Sequence, residues 1–382
     1  MSEYRYPCTG KITIKGFGEF LENETQESRR NIGLFAKELV ERFGLPYISL
    51  VNSGSSANLV AALALAEKIK SKGLPLIAAI SAFTFPTTVS SLLLAGFEVV
   101  VVDVEEGGFN ISIEELRKLQ QPISLIAVTH FLGFAADIKP IRSFADAHSA
   151  FILQDACESM ELLSDEGRRC FEYGDITTWS FYHPHHLSSY GGGAVICNSQ
   201  EDYLIVDSVV HWGRMCKCHF DSSLCTAPEG ASHQFSYERI GVNVEISELN
   251  ACFGRWQLQK WNDIELQRKE NYSILFDALK DNNKLKIWPK PSQGGSLFVF
   301  PIELRDGRTI EDIYPTLKAQ GLEIRTLMGG SLTLQKAFDN RVTVISDDNA
   351  QRMSSFCFFV GIHQTIPKED AIEMGDIVNK YI

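Results

Sequence analysis

Ser180-Phe-Tyr-His-Pro-His-His-Leu-Ser-Ser-Tyr-Gly-Gly-Gly-Ala-Val195 joins two runs that read as strands, Asp175–Phe181 and Ala194–Asn198. Three histidines, His183, His185 and His186, fall within four residues, and three glycines follow. Glycine lets a backbone turn sharply and approach a bound group, and imidazole titrates near neutral pH or ligates metal, so this stretch carries the chemistry of a site. Spacing alone leaves three readings open: a site, a surface loop with incidental histidines, or a metal clip made by the three imidazoles.

The flanking chain alternates strand and helix patterns. A helical spacing of apolar residues from Glu27 (Ile32, Phe35, Ala36, Leu39, Val40) ends at Gly44, and Tyr47–Val51 reads as a short buried strand. Strands are expected at Pro75–Ser81, Phe97–Val104, Ile123–Thr129 and Ala150–Leu153, with helices at Leu59–Lys72, up to Ala95, Ser112–Gln120 and Ile138–Ala147 between them. Such repeats build a mostly parallel α/β sheet covered by helices on both faces, and ligands then sit at the carboxyl ends of its strands.

Two of those strand ends carry polar turns. Asn52-Ser-Gly-Ser-Ser-Ala-Asn-Leu59 opens a helix, where backbone N–H groups with Ser55 and Ser56 suit a phosphate, or where a serine simply caps the helix. Gln154-Asp155-Ala-Cys-Glu-Ser159 ends another strand, and Asp155 is either a site carboxylate or a helix cap. Further on, Trp212–Ser247 is long for a connection within a compact domain, which marks a functional loop, and it holds Cys216, Cys218 and Cys225. A long amphipathic helix from about Glu248 to Leu279 leads to a smaller α/β region with strands near Lys284–Trp288, Leu297–Leu304, Leu322–Arg325 and Cys357–Val360.

The chain has 382 residues, 45% hydrophobic and 22% charged, enough for a large core and a second, smaller domain. A net charge of −12 without a basic tract argues against broad nucleic-acid or membrane binding, yet permits a local basic pocket. No apolar run reaches the roughly 20 residues of a membrane span, and the start lacks a signal peptide's apolar core, so a cytoplasmic protein is expected. Nine cysteines then favour metal or redox use over a disulfide framework.

Ser180-Phe181, the position of His185 and Gly192-Gly-Ala-Val195 resemble the cofactor-lysine loop of the DegT/DnrJ-type sugar aminotransferases, and the resemblance runs from about residue 30 to the C-terminus. It implies an aspartate aminotransferase-like, fold-type-I pyridoxal-phosphate architecture. An N-terminal arm (1–26), a large cofactor domain (27–262) and a small C-terminal domain (263–382) are expected. His185 stands where that family has its lysine, as in the lysine-less 3-dehydratase branch. Without lysine the cofactor cannot be held covalently for ordinary transamination, so the implied reaction is C-3 deoxygenation of a nucleotide-diphosphate-linked 4-keto-6-deoxyhexose, with pyridoxamine phosphate as cofactor and His185 as base.

The resemblance also implies roles for individual residues. Gly54, Ser55, Ser56 and Ser180 would contact the cofactor phosphate, Phe85 would stack on its ring, and Asp155 would face the pyridine nitrogen. Asn243 would reach the phosphate of the neighbouring subunit, making the enzyme a homodimer. Arg325 would contact the sugar or diphosphate. Gln154 and Gly191 stand where the family usually has glutamate.

Trp212-Gly-Arg-Met-Cys-Lys-Cys218 resembles the iron–sulfur type within that branch, which acts on a CDP-linked sugar. Cys157, Cys216, Cys218 and Cys225 would hold a [2Fe–2S] cluster fed by a flavin or iron–sulfur reductase. Tetrahedral thiolates also suit zinc, and a glutamate-recharged dehydratase or a zinc-binding relic without activity are the alternatives. The cysteines at 8, 170, 197, 252 and 357 read as small buried hydrophobes.

Overall fold

Valine runs such as Glu98-Val-Val-Val-Val102 become strands because a parallel strand buried on both faces needs apolar, β-branched residues throughout. In the computed structural model, which describes residues 4–12, 14–24, 30–291 and 294–382, twelve strands are found. They are β1 (Tyr47–Val51), β2 (Ile77–Ser81), β3 (Glu98–Val102), β4 (Leu125–Thr129), β5 (Phe151–Asp155), β6 (Ile176–Ser180), β7 (Gly193–Cys197), β8 (Leu285–Ile287), β9 (Val299–Leu304), β10 (Arg325–Thr326), β11 (Thr343–Val344) and β12 (Cys357–Gly361).

Eight of these form one sheet in the order β1-β7-β6-β5-β4-β2-β3-β11, and the other four form a second sheet in the order β10-β12-β9-β8. In the large sheet β7 alone runs against its neighbours, pairing antiparallel with both β1 and β6. The architecture is therefore the expected α/β one with a large, mostly parallel sheet. β11 comes from residues 343 and 344 yet extends the large sheet beside β3.

Helix Gly54–Ser71 is apolar on most of its circumference because it packs between the sheet and neighbouring helices, with Val60, Ala61, Ala64 and Leu65 all buried. Ser53 caps it by accepting the Ser56 N–H at 3.0 Å. A separate core lies under the second sheet, where Phe300, Ile302, Phe358 and Val360 meet Tyr272, Leu275, Met374 and Val378 of two covering helices, Trp261–Leu279 and Lys368–Tyr381. No helix among the described residues is long and apolar enough to cross a membrane.

Three expectations differ from what is observed. The helix expected from Ser112 to Gln120 spans Ile113–Leu116, because the next N–H groups bond three residues back and tighten the turn. The single helix expected from Glu248 to Leu279 is two, Glu248–Leu258 and Trp261–Leu279. The break turns Trp261 into the core, edge-on to Phe43 at 5.3 Å, with its indole N–H donating to Glu161 at 3.1 Å. The arm contains a helix, Phe17–Glu24; the expected helix start at Glu27, and residues 1–3, 13 and 25–26 of the arm, lie outside the described residues.

Candidate active site and cysteine loop

β1, β2, β4, β5 and β6 all end on the same side of the sheet, and a cavity of about 760 Å³ opens there. Gly54, Ser55, Phe85, Asp155, Cys157, Ser180, His185 and Arg325 all line it. Gly54 is required at its position, since a Cβ there would lie 2.6 Å from Ser180 Cβ and 2.9 Å from Cys157 Sγ. Ser55 is exposed to the cavity, with its hydroxyl 3.0 Å from that of Thr87. Phe85 is 47% exposed, leaving its ring free to cover a flat ligand. Ser56 is placed differently: its hydroxyl donates to Asn52 at 2.6 Å and its N–H to Ser53, so it serves the helix cap and is not part of the lining.

Asp155 ends β5 and is held firmly. One carboxylate oxygen accepts Asn58 Nδ2 at 2.8 Å and Thr88 Oγ1 at 2.5 Å, and the other accepts the Cys157 N–H at 3.1 Å. Gln154, its neighbour, has its side chain buried among other partners, as strand alternation requires. Its amide nitrogen donates to the Cys170 carbonyl at 3.0 Å, which a glutamate could not do. Its oxygen lies 2.7 Å from His130 Nε2, and since His130 Nδ1 accepts the Ala136 N–H, Nε2 carries the proton. Burial pulls His130 down to about 4, keeping this ring neutral.

The glycine loop works through its backbone. Gly191 and Gly192 have φ of +123° and +144°, and a Cβ on Gly193 would stand 2.7 Å from Ser53 and Trp179 backbone atoms. The histidine side of the loop lies across the cavity floor. His185 stacks on Phe298 with centroids 5.1 Å apart at 25°, and its Nδ1 is buried with no hydrogen-bond partner among the described residues. Burial, then the nearby Arg268 charge, pull its pKa down to about 3, so the imidazole is neutral at any physiological pH.

His186 is buried and donates from Nε2 to the Ser296 carbonyl at 2.8 Å, a packing role. The three histidines do not form a metal clip: among the described residues the His, Cys, Asp and Glu donors that converge are elsewhere.

Lining residues that sequence reasoning missed include Arg268, Glu158, Cys8 and Thr9. Arg268 is fully buried, bonds the Leu297 and Phe298 carbonyls, and is pulled down to about 9 by burial. Glu158 accepts the Leu132 N–H at 2.6 Å and is pushed up to about 8, by burial first and the Asp155 charge second. Cys8 and Thr9 enter from the N-terminal arm. An arginine on an amphipathic helix and a short arm without periodicity carry no sequence signal for a site.

Asn243 lies outside this chain's own cavity, exposed, and bridges backbone to backbone with His211. The expected cysteine set is brought together only in part. Cys216, Cys218 and Cys225 converge, and His233 stands beside them, with all four donor atoms within 4.8 Å of one another. Cys157 is not in this group; it lines the cavity beside Gly54 and Asp155. Cys170, Cys197, Cys252 and Cys357 are buried, as small hydrophobes are.

The sequence model of the DegT/DnrJ/EryC1/StrS aminotransferase family matches residues 7–379. The chain is 32% identical over 359 residues to a dTDP-4-dehydro-2,6-dideoxy-D-glucose 3-dehydratase of Saccharopolyspora spinosa, covering 88% of this chain and 77% of that protein. It is 30% identical over 369 residues to the lipopolysaccharide biosynthesis protein RfbH of Salmonella typhimurium, covering 91% and 83%. The fold matches that of an E. coli GDP-4-keto-6-deoxy-D-mannose-3-dehydratase with bound hydrated PLP at a TM-score of 0.88 and 22% identity, covering 98% and 99% of the two chains.

Proposed function

Since the chain belongs to the DegT/DnrJ/EryC1/StrS aminotransferase family, on the side of its 3-dehydratases, we propose that it removes the C-3 hydroxyl of a nucleotide-linked 4-keto-6-deoxyhexose. The observation that carries this reading is the cavity lining. Among the described residues it contains no lysine, and it presents instead the unpartnered Nδ1 of His185. Transamination through a lysine-held cofactor needs that amine.

The residues present fit a pyridoxal-type cofactor: an oriented carboxylate, an open aromatic ring, and hydroxyls and N–H groups at a helix start, with one orphaned nitrogen facing the same space. Gly54, Ser55 and Ser180 would hold its phosphate, Phe85 its ring face and Asp155 its ring nitrogen. When bound, such a cofactor supplies an amine for the C-4 ketone and a ring that stores electrons. Asp155, fixed by Asn58, Thr88 and the Cys157 N–H, keeps a positive charge favourable opposite it. His185 takes up a proton at Nδ1, where no other partner competes. Phe298 covers one face of the imidazole and keeps water from that side.

Net, C-3 exchanges hydroxyl for hydrogen: the hydroxyl leaves as water while two electrons and two protons enter. We assign the electrons to a reductase partner acting through a [2Fe–2S] centre in the cysteine loop. A homodimer completes the site, with Asn243 contributed across the interface. Trp212, Phe235, Ile240 and Leu249 support such an interface, being large, apolar and exposed between 212 and 249. The strand bridge at His211 and Asn243 lies at the base of the cysteine loop, so a centre in that loop would stand near the site Asn243 enters. Arg325, which lines the cavity while paired to Glu323 at 2.8 Å, would meet the sugar or diphosphate.

The test supplies cofactor-loaded protein and substrate with one electron source at a time. Turnover with a flavin or iron–sulfur reductase, and none with glutamate, is expected. Turnover with glutamate alone favours the glutamate-recharged dehydratase. An amino sugar as product overturns the dehydratase reading.

A further inference from the structure

The loop between Trp212 and Ser247 is a built structure with a closed neck. Gly213 has φ of +83°, and a Cβ there would stand 1.9 Å from the Arg239 carbonyl oxygen; a Cβ on Gly241, across the neck, would stand 2.1 Å from the Gly213 nitrogen. Above this crossing the Met215 N–H donates to the Ser236 carbonyl at 2.9 Å and the Glu238 N–H to the Gly213 carbonyl at 2.9 Å. Lys217, mostly buried, pairs with Glu238 at 2.7 Å. These bonds bring residues 216–218 alongside 232–236. Asp221 then caps a short turn, Ser222–Leu224, which returns Cys225 to the same point.

The orientation of His233 follows from its second nitrogen. Nδ1 lies 3.0 Å from the Pro228 carbonyl oxygen, which can only accept, so Nδ1 donates there and Nε2 is the nitrogen left to ligate. Nε2 points at Cys216, Cys218 and Cys225, 3.1, 3.3 and 3.6 Å from their sulfur atoms. A ligating histidine characteristically donates its other N–H to a backbone carbonyl in this way, fixing ring and tautomer. Three sulfurs and one such imidazole are a donor set for zinc or for iron bound with sulfide, and not for hard cations.

We propose that Cys216, Cys218, Cys225 and His233 are the four protein ligands of a metal centre, with His233 in the place expected for Cys157. Cys157 belongs to the cofactor cavity, where its N–H fixes Asp155 and its sulfur packs against Gly54. The ligand assignment stands on this geometry alone; only the choice of iron over zinc rests on the dehydratase reading.

The experiment measures iron, sulfide and zinc per chain, with absorbance and electron paramagnetic resonance spectra, on full-length protein purified without oxygen. Wild type is compared with Cys157→Ser, His233→Ala and His233→Cys, before and after a chelator challenge. Cys157→Ser is expected to keep the full metal content and the wild-type spectrum. His233→Ala is expected to lose at least tenfold more metal to the chelator than wild type. His233→Cys is expected to retain metal with an altered spectrum, which separates a lost ligand from a misfolded loop.

The proposal is overturned if Cys157→Ser empties the centre while His233→Ala keeps an unchanged one, or if wild type carries no metal. Iron with sulfide also supports the electron relay; zinc retained through these same ligands supports the ligand set and overturns the relay.

Discussion

Replacing Glu158 by glutamine changes how stability depends on pH, and by how much follows from the site. The carboxyl is buried beside Asp155, and its pKa is pushed from 4.5 to about 8, by burial first. The unfolded chain releases this proton near 4.5 while the folded chain keeps it, so folding is unpenalised below pH 4.5 and loses stability as pH rises toward 8. At about 1.4 kcal/mol per unit, the loss between pH 5.5 and 8 is about 3 kcal/mol. Glutamine keeps an acceptor for the Leu132 N–H and does not titrate. Urea unfolding of cofactor-free wild type and Glu158→Gln across this range should show wild type falling by about 3 kcal/mol relative to the variant. Other titrations cancel in that difference. A gap that stays constant within ~0.5 kcal/mol, against the slope expected from linkage, would refute the argument.

Other consequences can be checked directly. His185→Gln should lower turnover by roughly 10²- to 10⁴-fold while cofactor binding, followed by absorbance, changes little. Because His185 is neutral down to about pH 3, the wild-type rate should show no acid limb near 6.5; a limb there that vanishes in the variant contradicts the buried-base account. Gly54→Ala puts a methyl 2.6 Å from Ser180 Cβ and should cost about 1–3 kcal/mol in the urea midpoint, with weaker cofactor retention. Gly213→Ala collides with the Arg239 carbonyl and should open the neck of the cysteine loop, seen as faster proteolysis between 214 and 240; unchanged cleavage would mean that the neck does not depend on this glycine.

The large sheet is legible in the sequence because its strands are continuous apolar runs separated by amphipathic or capped helices, and each polar turn at a strand end falls on the cavity. Asp155 and His185 could be singled out only through the family resemblance, since by pattern alone an aspartate after a strand is as well a helix cap and three histidines before glycines as well a surface loop. Ser56 could not be separated from Ser55, since which hydroxyl turns inward depends on the Asn52 side chain. The break at Lys260 is silent because helical periodicity continues across it and only the packing of Trp261 interrupts the axis. His233 follows Cys225 by eight residues with no motif around it, and only the neck at Gly213 and Gly241 brings it to the thiols. Arg268 reads as one more charge on a solvated face, while tertiary packing covers it.

The central claim is that His185, in a cavity with no lysine among its described lining residues, directs the chemistry to loss of oxygen at C-3. Mass spectrometry of the product formed from a nucleotide-linked 4-keto-6-deoxyhexose by cofactor-loaded, reductase-coupled protein tests it most directly. The account predicts a sugar one oxygen lighter, with hydrogen at C-3 and no nitrogen gained. A product carrying an amino group at C-4 with its C-3 hydroxyl intact would contradict it.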